Sequence, residues 1–135
     1  MKQLTLDDCP PVVKLLVAGS RTFNDKEFAF RKLDNLVSRL TGGYSQRMID
    51  VVSGCARGAD AIGEEWSKLR GFGRILMPAD WKTHGKAAGQ IRNAEMVSIA
   101  DCACFFWDGV SKGTQGAIKL AEAKGIPVRI FRFSR

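Results

Sequence analysis

No stretch of this 135-residue chain is long and apolar enough to span a membrane, and residues 1–12 lack the apolar core of a signal peptide. These two absences predict a protein that stays in the compartment where it is made, most simply the cytosol. The chain has one histidine, His84, and four cysteines: Cys9, Cys55, Cys102 and Cys104. A zinc site would want further Cys or His at ligand spacing, so no metal is expected, and no cofactor. A chain of this length buries a core without disulfides. Cys102 and Cys104, two apart in an apolar run, are expected on one strand face as small buried hydrophobes, and Cys55 is expected only to be small. No internal repeat and no low-complexity segment is present. Acidic residues are outnumbered, 14 against 21 basic, for a net charge of +7. That excess favours anionic partners, nucleotides or nucleic acid.

What is there alternates between short apolar runs and amphipathic segments. Residues 1–12 read as a loose arm, and residues 13–135 as one domain. "VKLLVAG" (Val13–Gly19), "MIDVVSG", "GRILMPA", a run within "DCACFFWDG", and "IPVRIF" read as five strands. Between the first two, Ala29, Phe30, Leu33, Leu36, Val37 and Leu40 recur at helical spacing, with Asn24 and Glu27 as a capping box and "TGGYSQ" as the break. Ala59–Arg70 reads as a helix with Ile62, Trp66 and Leu69 on one face. "DWKTHGKAAGQ" reads as a polar loop entering a helix from about Ala88 to Ile99. "SKGTQG" leads into a helix through Lys124, closed by Gly125. Pro127 suits an edge strand. The order βαβαβαβαβ, with nearly all-apolar strands, predicts an α/β fold: a Rossmann-like three-layer sandwich with a mainly parallel five-stranded sheet.

In such a sheet, ligands bind outside the carboxyl ends of the strands. The loops to read are therefore "GSRTF", "SGCARGAD", "PADWKTHGK" and "WDGVSKGTQG". In "SGCARGAD", Ser53 and Ala56 are small, Gly54 and Gly58 permit a sharp turn and close approach, and Arg57 offers a fork suited to phosphate. A helix N-terminus follows. Gly19, Ser20 and Arg21 after the first strand, and Lys112, Gly113, Thr114 and Gly116 before the last helix, repeat these ingredients. Thr114 is read as a helix cap, a phosphate ligand, or both in turn. Asp60 either meets a ribose hydroxyl or favours the first turn of its helix; Asp108 is the better rim candidate. Trp107 is read as core more readily than as a base-stacking platform. Trp81 and His84 stand in a polar loop where burial explains them less well. Arg92 and Asn93 are either site residues or a solvated helix face.

The blocks "VAGSRTF", "VVSGCARGAD", "QIRNAEM" and "FFWDGVSKGTQGAIKLAEAKGIPV", in this order over Lys14 to Ile130, resemble the YspA-like (cpYpsA-related) branch of the SLOG superfamily. The resemblance implies a Rossmannoid fold that binds nucleotides or nucleotide-derived ligands. Its relatives include lonely-guy phosphoribohydrolases, the DNA-processing protein A family and ligand-sensing domains of bacterial defence systems. Small stand-alone members are common in phages, which implies a phage origin. The resemblance assigns phosphate binding to Gly54, Arg57, Gly58, Gly113 and Thr114, and the first-loop role to Gly19, Ser20 and Arg21. One departure stands out. Lonely-guy enzymes carry acidic residues after their Gly-Thr, whereas here Gln115, Gly116 and Ala117 follow Thr114, and Glu122 lies two turns further on.

Three functions are therefore expected, in order. The first is a sensor or sponge for a nucleoside phosphate or an ADP-ribose-like ligand, using Arg21, Arg57 and Lys112. The second is an N-glycosidic-bond hydrolase with Asp60 or Asp108 as the needed carboxylate. The third is a single-stranded nucleic-acid binder using Arg129, Arg132 and Arg135, with affinity falling steeply in salt. A scaffold domain whose loops are only turns is the bland alternative. Phe28 and Phe30, at neighbouring helix positions, do not both face the core easily. One of them is expected at a homodimer or higher-oligomer interface.

Overall fold

The computed structural model describes residues 12–40 and 48–134. Of the expected arm over residues 1–12, residues 1–11, Cys9 among them, lie outside them, as do the helix-breaking residues 41–46 and Arg135, while Val12 is instead the first residue of the first strand, where it pairs with Met48. The chain forms β1 (Val12–Gly19), α1 (Lys26–Leu40), β2 (Met48–Ser53), α2 (Ala59–Leu69), β3 (Gly73–Leu76), α3 (Trp81–His84), a 3₁₀ turn (Gly85–Ala87), α4 (Ala88–Ile99), β4 (Cys102–Trp107), α5 (Lys112–Lys124) and β5 (Val128–Arg132). The sheet is five-stranded in the order β3-β2-β1-β4-β5, and every neighbouring pair is parallel. The expected Rossmann-like sandwich is the observed fold, with the sheet wholly parallel.

Strand periodicity builds two cores. Val13, Leu15 and Val17 of β1 face one side, with Ala29 and Leu33 of α1 and Ile62 and Trp66 of α2. Leu16 and Ala18 face the other, with Met96 and Val97 of α4 and Ala117, Ile118 and Ala121 of α5. A strand covered on both faces must be apolar at successive positions, which is why β1 and β4 read as continuous runs. Cys102 and Cys104 both pack in the first core. Burial pushes the Cys102 thiol up to about 11, and Cys104 is shifted further in the same direction for the same reason. Both thiols stay protonated and inert.

Several local expectations are corrected. Asp25, not Asn24, caps α1: its Oδ1 accepts the Phe28 N–H at 3.1 Å, one register later than the expected box. Leu69 is exposed; the buried face of α2 is completed instead by Gly63 and Ser67. The polar segment before α4 is helical rather than a loop, with Asp80 capping α3 through Thr83 N–H. Phe28 and Phe30 both pack against the first core, Phe28 edge-on to Phe23, Phe106 and Phe131. The sequence-based reason for assigning one of them to an interface therefore falls away. Pro127 does precede an edge strand, and its carbonyl still accepts the Ala103 N–H at 3.0 Å.

Polar side chains tie the helices together at their ends. Asp34 of α1 accepts Trp66 Nε1 at 2.9 Å and two Arg70 donors at 2.8 Å each. The Arg70 guanidinium, foremost, holds the Asp34 carboxyl below its ordinary range. Lys124 Nζ donates to the carbonyls of Val97, Ser98 and Ala100 at 2.9, 2.8 and 3.1 Å, capping the end of α4 from the end of α5. Gly125 closes α5 in the left-handed conformation, φ 83°.

Gly63 shows how closely α2 sits on the sheet. A methyl group there would lie 2.7 Å from Val17 Cγ1 and 2.9 Å from Val17 Cβ, atoms of a central buried strand. Helix propensity favours alanine over glycine by about 1 kcal/mol. Overpacking a core costs roughly 1–3 kcal/mol. Gly63→Ala is therefore expected to lose stability, on the order of 1 kcal/mol net. Urea unfolding midpoints of the two proteins check the sign.

Candidate functional site

The chain leaves β1 toward β2 on one side of the sheet and leaves β4 toward β5 on the other. The loops after β1 and β4 therefore part, and a crevice opens between them. It is a cleft of about 450 Å³. Ala18, Gly19 and Ser20 floor it, and Ser111, Gly113, Thr114 and Ala117 form one wall at the start of α5. The opposite wall comes from the α3–α4 segment: Trp81, Lys86, Gly89, Gln90, Arg92, Asn93 and Met96. Arg21, Thr22, Ala56 and Asp60 complete the lining.

Ser20 organises this floor. It is 2% exposed. Its N–H donates to the Phe106 carbonyl at 2.9 Å, and its own carbonyl accepts the N–H groups of Phe23 and Ala59 at 3.2 and 3.3 Å. Its Oγ accepts the Asp108 N–H at 3.2 Å. One residue thus joins β1, β4 and the N-terminus of α2.

The β2–α2 loop is packed inward more than the sequence suggests. A methyl at Gly54 would lie 2.5 Å from Arg92 Nη1, so the absent side chain makes room for that guanidinium, which donates to the Gly54 carbonyl at 2.5 Å. Gly58 has φ +78°, and a methyl there would lie 2.5 Å from the Ser20 carbonyl oxygen. Ser53 Oγ donates to Glu64 Oε2 at 2.7 Å and accepts the Cys55 N–H at 3.1 Å. Cys55 adopts φ 65°. Desolvation, then the charges of Glu64 and Asp60, raise its thiol above the usual range, which disfavours a reactive thiolate. Arg57 is exposed and lines not the cleft but an adjoining cavity of about 640 Å³, with Arg21, Gly54, Cys55, Ala56, Pro78, Ala79, Trp81 and Arg92.

The expected site residues therefore separate. Gly19, Ser20, Arg21, Ala56, Asp60, Arg92, Asn93, Gly113 and Thr114 line the central cleft. Gly54 and Arg57 line only the adjoining cavity. Ser53, Gly58, Asp108, Lys112 and Gly116 line neither. Asp108 is turned into its own loop: Oδ1 accepts the N–H groups of Val110 and Ser111 at 2.9 and 2.7 Å, and Oδ2 accepts the Ser111 hydroxyl at 2.8 Å. Thr114 is not the helix cap, since α5 begins at Lys112 after Ser111 and Thr114 sits buried in the first turn. Arg92 and Asn93 are not a solvated face: both are half-buried, and Arg92 Nε donates to Asn93 Oδ1 at 2.9 Å. Trp107 packs with the second core, donates to the Ser111 carbonyl at 3.1 Å, and lies 5.2 Å beneath the Arg132 guanidinium. Arg129 instead joins Lys32, Arg39 and Phe131 at a small groove beside α1, so strand alternation parts it from Arg132.

Asp60 is the carboxylate of the cleft. It is 5% exposed, and burial pushes its pKa up to about 6, against the lowering effects of the Ala56 N–H and of Arg92. The Ala56 N–H reaches Asp60 Oδ2 at 3.2 Å, so the side chain also shapes the loop. Sequence reading missed Glu64, although its i, i+4 spacing from Asp60 puts both on one side of α2. It also missed Lys86, Gly89 and Gln90, because Gly85 and Gly89 hide the helical character of the α3–α4 segment, and Thr22, Met96 and Ser111, which carry no charge or glycine to mark them. Among the described residues no group of His, Cys, Asp or Glu is arranged to hold a metal ion, and no helix is long and apolar enough to cross a membrane.

A wholly parallel sheet in this strand order, with a crevice at its switch point, is a Rossmann-like α/β sandwich. A family model described as YspA, cpYpsA-related SLOG family matches residues 13–84. The Gene 61 protein of Mycobacterium phage D29 is 38% identical over 121 residues, covering 85% of this chain and 93% of that protein. The chain belongs to the YspA, cpYpsA-related SLOG family. Membership implies a nucleotide-related binding or processing role in general terms, and the phage relative fits the expected phage connection.

The buried acid makes stability pH-dependent. The folded protein holds the Asp60 proton up to about pH 6, whereas the unfolded chain releases it near the ordinary 3.8. Below that lower value the contribution is fully present; as pH rises through 6 it is lost. Asp60→Asn is expected to gain stability relative to the parent as pH is raised from about 4 to 7, on the order of 2–3 kcal/mol. Urea melts of both proteins across that range measure the difference, and parallel curves would contradict it.

Proposed function

We propose that this protein binds a nucleotide or nucleotide-derived ligand, a nucleoside phosphate or an ADP-ribose-like molecule, at the carboxyl rim of the sheet, as a sensor or sponge. The observation that carries the reading is the chemistry of the switch-point cleft. Arg21, Lys86 and Arg92 outnumber the single carboxylate, Asp60. Ser20, Asn93 and Thr114 offer hydrogen bonds beside them, and the first turn of α5 adds a helix end that favours anions. The volume suits a small ligand, for which roughly 300–1,000 Å³ is usual. Family membership supports the same class of ligand.

A second reading has one observation in its favour. Cleavage of an N-glycosidic bond needs a negative charge beside an oxocarbenium-like centre, or a base for water. The departure after Thr114 leaves no acid on α5 at that place, but Asp60 lines the same cleft and titrates near neutrality, at about 6. Asp60 is therefore the proposed carboxylate of any such reaction. Asp108, committed to its own turn, is not.

Thermal unfolding with AMP, ADP, ADP-ribose, NAD and a short single-stranded DNA tests both readings. A ligand at 100 times its dissociation constant adds about 2.7 kcal/mol, several degrees in a domain of this size. A shift with a nucleotide, lost in Arg21→Ala, is expected. No shift with any nucleotide would overturn the binding reading, and a salt-sensitive shift with DNA alone would favour a nucleic-acid binder. Free base appearing with the parent and not with Asp60→Asn would establish the hydrolase.

A further inference from the structure

The cleft does not end at Arg92. The adjoining cavity, about 640 Å³, shares Arg21, Ala56, Trp81 and Arg92 with it. Each of the two spaces lies within the size range of a small-ligand pocket. Their chemistry differs. The inner cleft holds Asp60, whereas the outer cavity is lined by Arg21, Arg57 and Arg92 with no carboxylate. Arg21 is close enough for its charge to lower the Asp60 pKa, and Arg57 is exposed. Arg92 spends two donors, on Gly54 and Asn93, out of a guanidinium's five. At the junction stands Trp81, whose ring lies over Gly89 of α4 and which is left 53% exposed. Arg21 and Arg92 therefore flank the passage, with a wide apolar ring beside them and a further arginine beyond.

We infer that the rim is a two-compartment site for a ligand built of two nucleoside units joined through phosphate, with the linking phosphate between Arg21 and Arg92, a base stacked on Trp81, and the second unit's phosphate on Arg57. This rests on the nucleotide reading and narrows it to a dinucleotide-sized ligand. A mononucleotide fills the inner cleft and leaves Arg57 unused. A long single strand is not required, because both compartments are occupied by two units. Charge alone does not account for the arrangement either, since the two spaces are joined at an aromatic ring.

Titration calorimetry with AMP, ADP, the 5′-phosphorylated diadenylate pApA and a twelve-nucleotide oligoadenylate tests it. ADP resembles pApA in charge but lacks the second nucleoside. In the parent protein pApA is expected to bind at least about tenfold more tightly than either AMP or ADP, the effect of one charge-assisted hydrogen bond or one stacked base. Arg57→Ala and Ala79→Trp, the second filling only the outer cavity, should each bring the ratio of pApA to AMP affinity close to one. Lys119→Ala, which removes an exposed charge on α5, should keep the ratio. Equal affinity for ADP and pApA overturns the inference and leaves the nucleotide reading standing. So does a ratio that survives both outer-cavity variants, or an oligoadenylate about a hundredfold or more tighter than pApA, well beyond the roughly tenfold that its overlapping dinucleotide registers supply statistically. Binding of none of the four overturns both.

Discussion

The rim depends on the backbone and hydroxyl of Ser20. This residue follows β1 where the sheet changes direction, and its groups bond to β4, to the turn of Phe23, to the first N–H of α2 and to Asp108. Buried polar groups must be paired, so the four bonds hold the loops at fixed separations. Gly58 is glycine because the Ser20 carbonyl and the Arg21 backbone press against it. The floor of the cleft is thus a hydrogen-bonded knot.

This changes what the glycine-rich loops do. Gly54 and Gly58 are needed for contacts within the protein, with Arg92 and with the first loop. The N–H groups near the start of α2 are also engaged: Ala59 bonds Ser20, Ala56 bonds Asp60 and Cys55 bonds Ser53. The charge of the rim therefore comes from arginine side chains more than from the α2 terminus. The α5 terminus differs: Gly113 has open space around it, where a Cβ would meet nothing within 4 Å, and it lines the cleft.

Asp60 and Arg92 meet the conflicting demands of this place. Asp60 is buried enough to hold a proton to about pH 6, yet Arg92 and the Ala56 N–H oppose that shift. The Arg92 guanidinium in turn fills the space above Gly54 and is half of the passage between the two compartments. A buried carboxylate balanced in this way suits proton transfer as well as ligand orientation.

The amino-acid sequence by itself determined the layers. Val13, Leu15 and Val17 against Leu16 and Ala18 specify a strand covered on both faces, and the helical spacing of Ala29 and Leu33 specifies its cover. It also determined that the loops after β1, β2 and β4 carry small residues and arginine, because those residue types are legible one at a time. Tertiary structure alone decided how these loops combine. It sent Arg57 to an outer cavity and Arg92, on the far helix, to the centre, since which side chains meet depends on strand order and crossovers that no local pattern encodes. It turned Asp108 into its own loop because three donors lay closer than any cleft. It also made the α3–α4 segment a wall: Gly85 and Gly89 weaken the helical signal in the sequence, while the Asp80 carboxylate caps α3 by accepting the Thr83 N–H, and α4 anchors the segment through Met96 and Val97 in the second core.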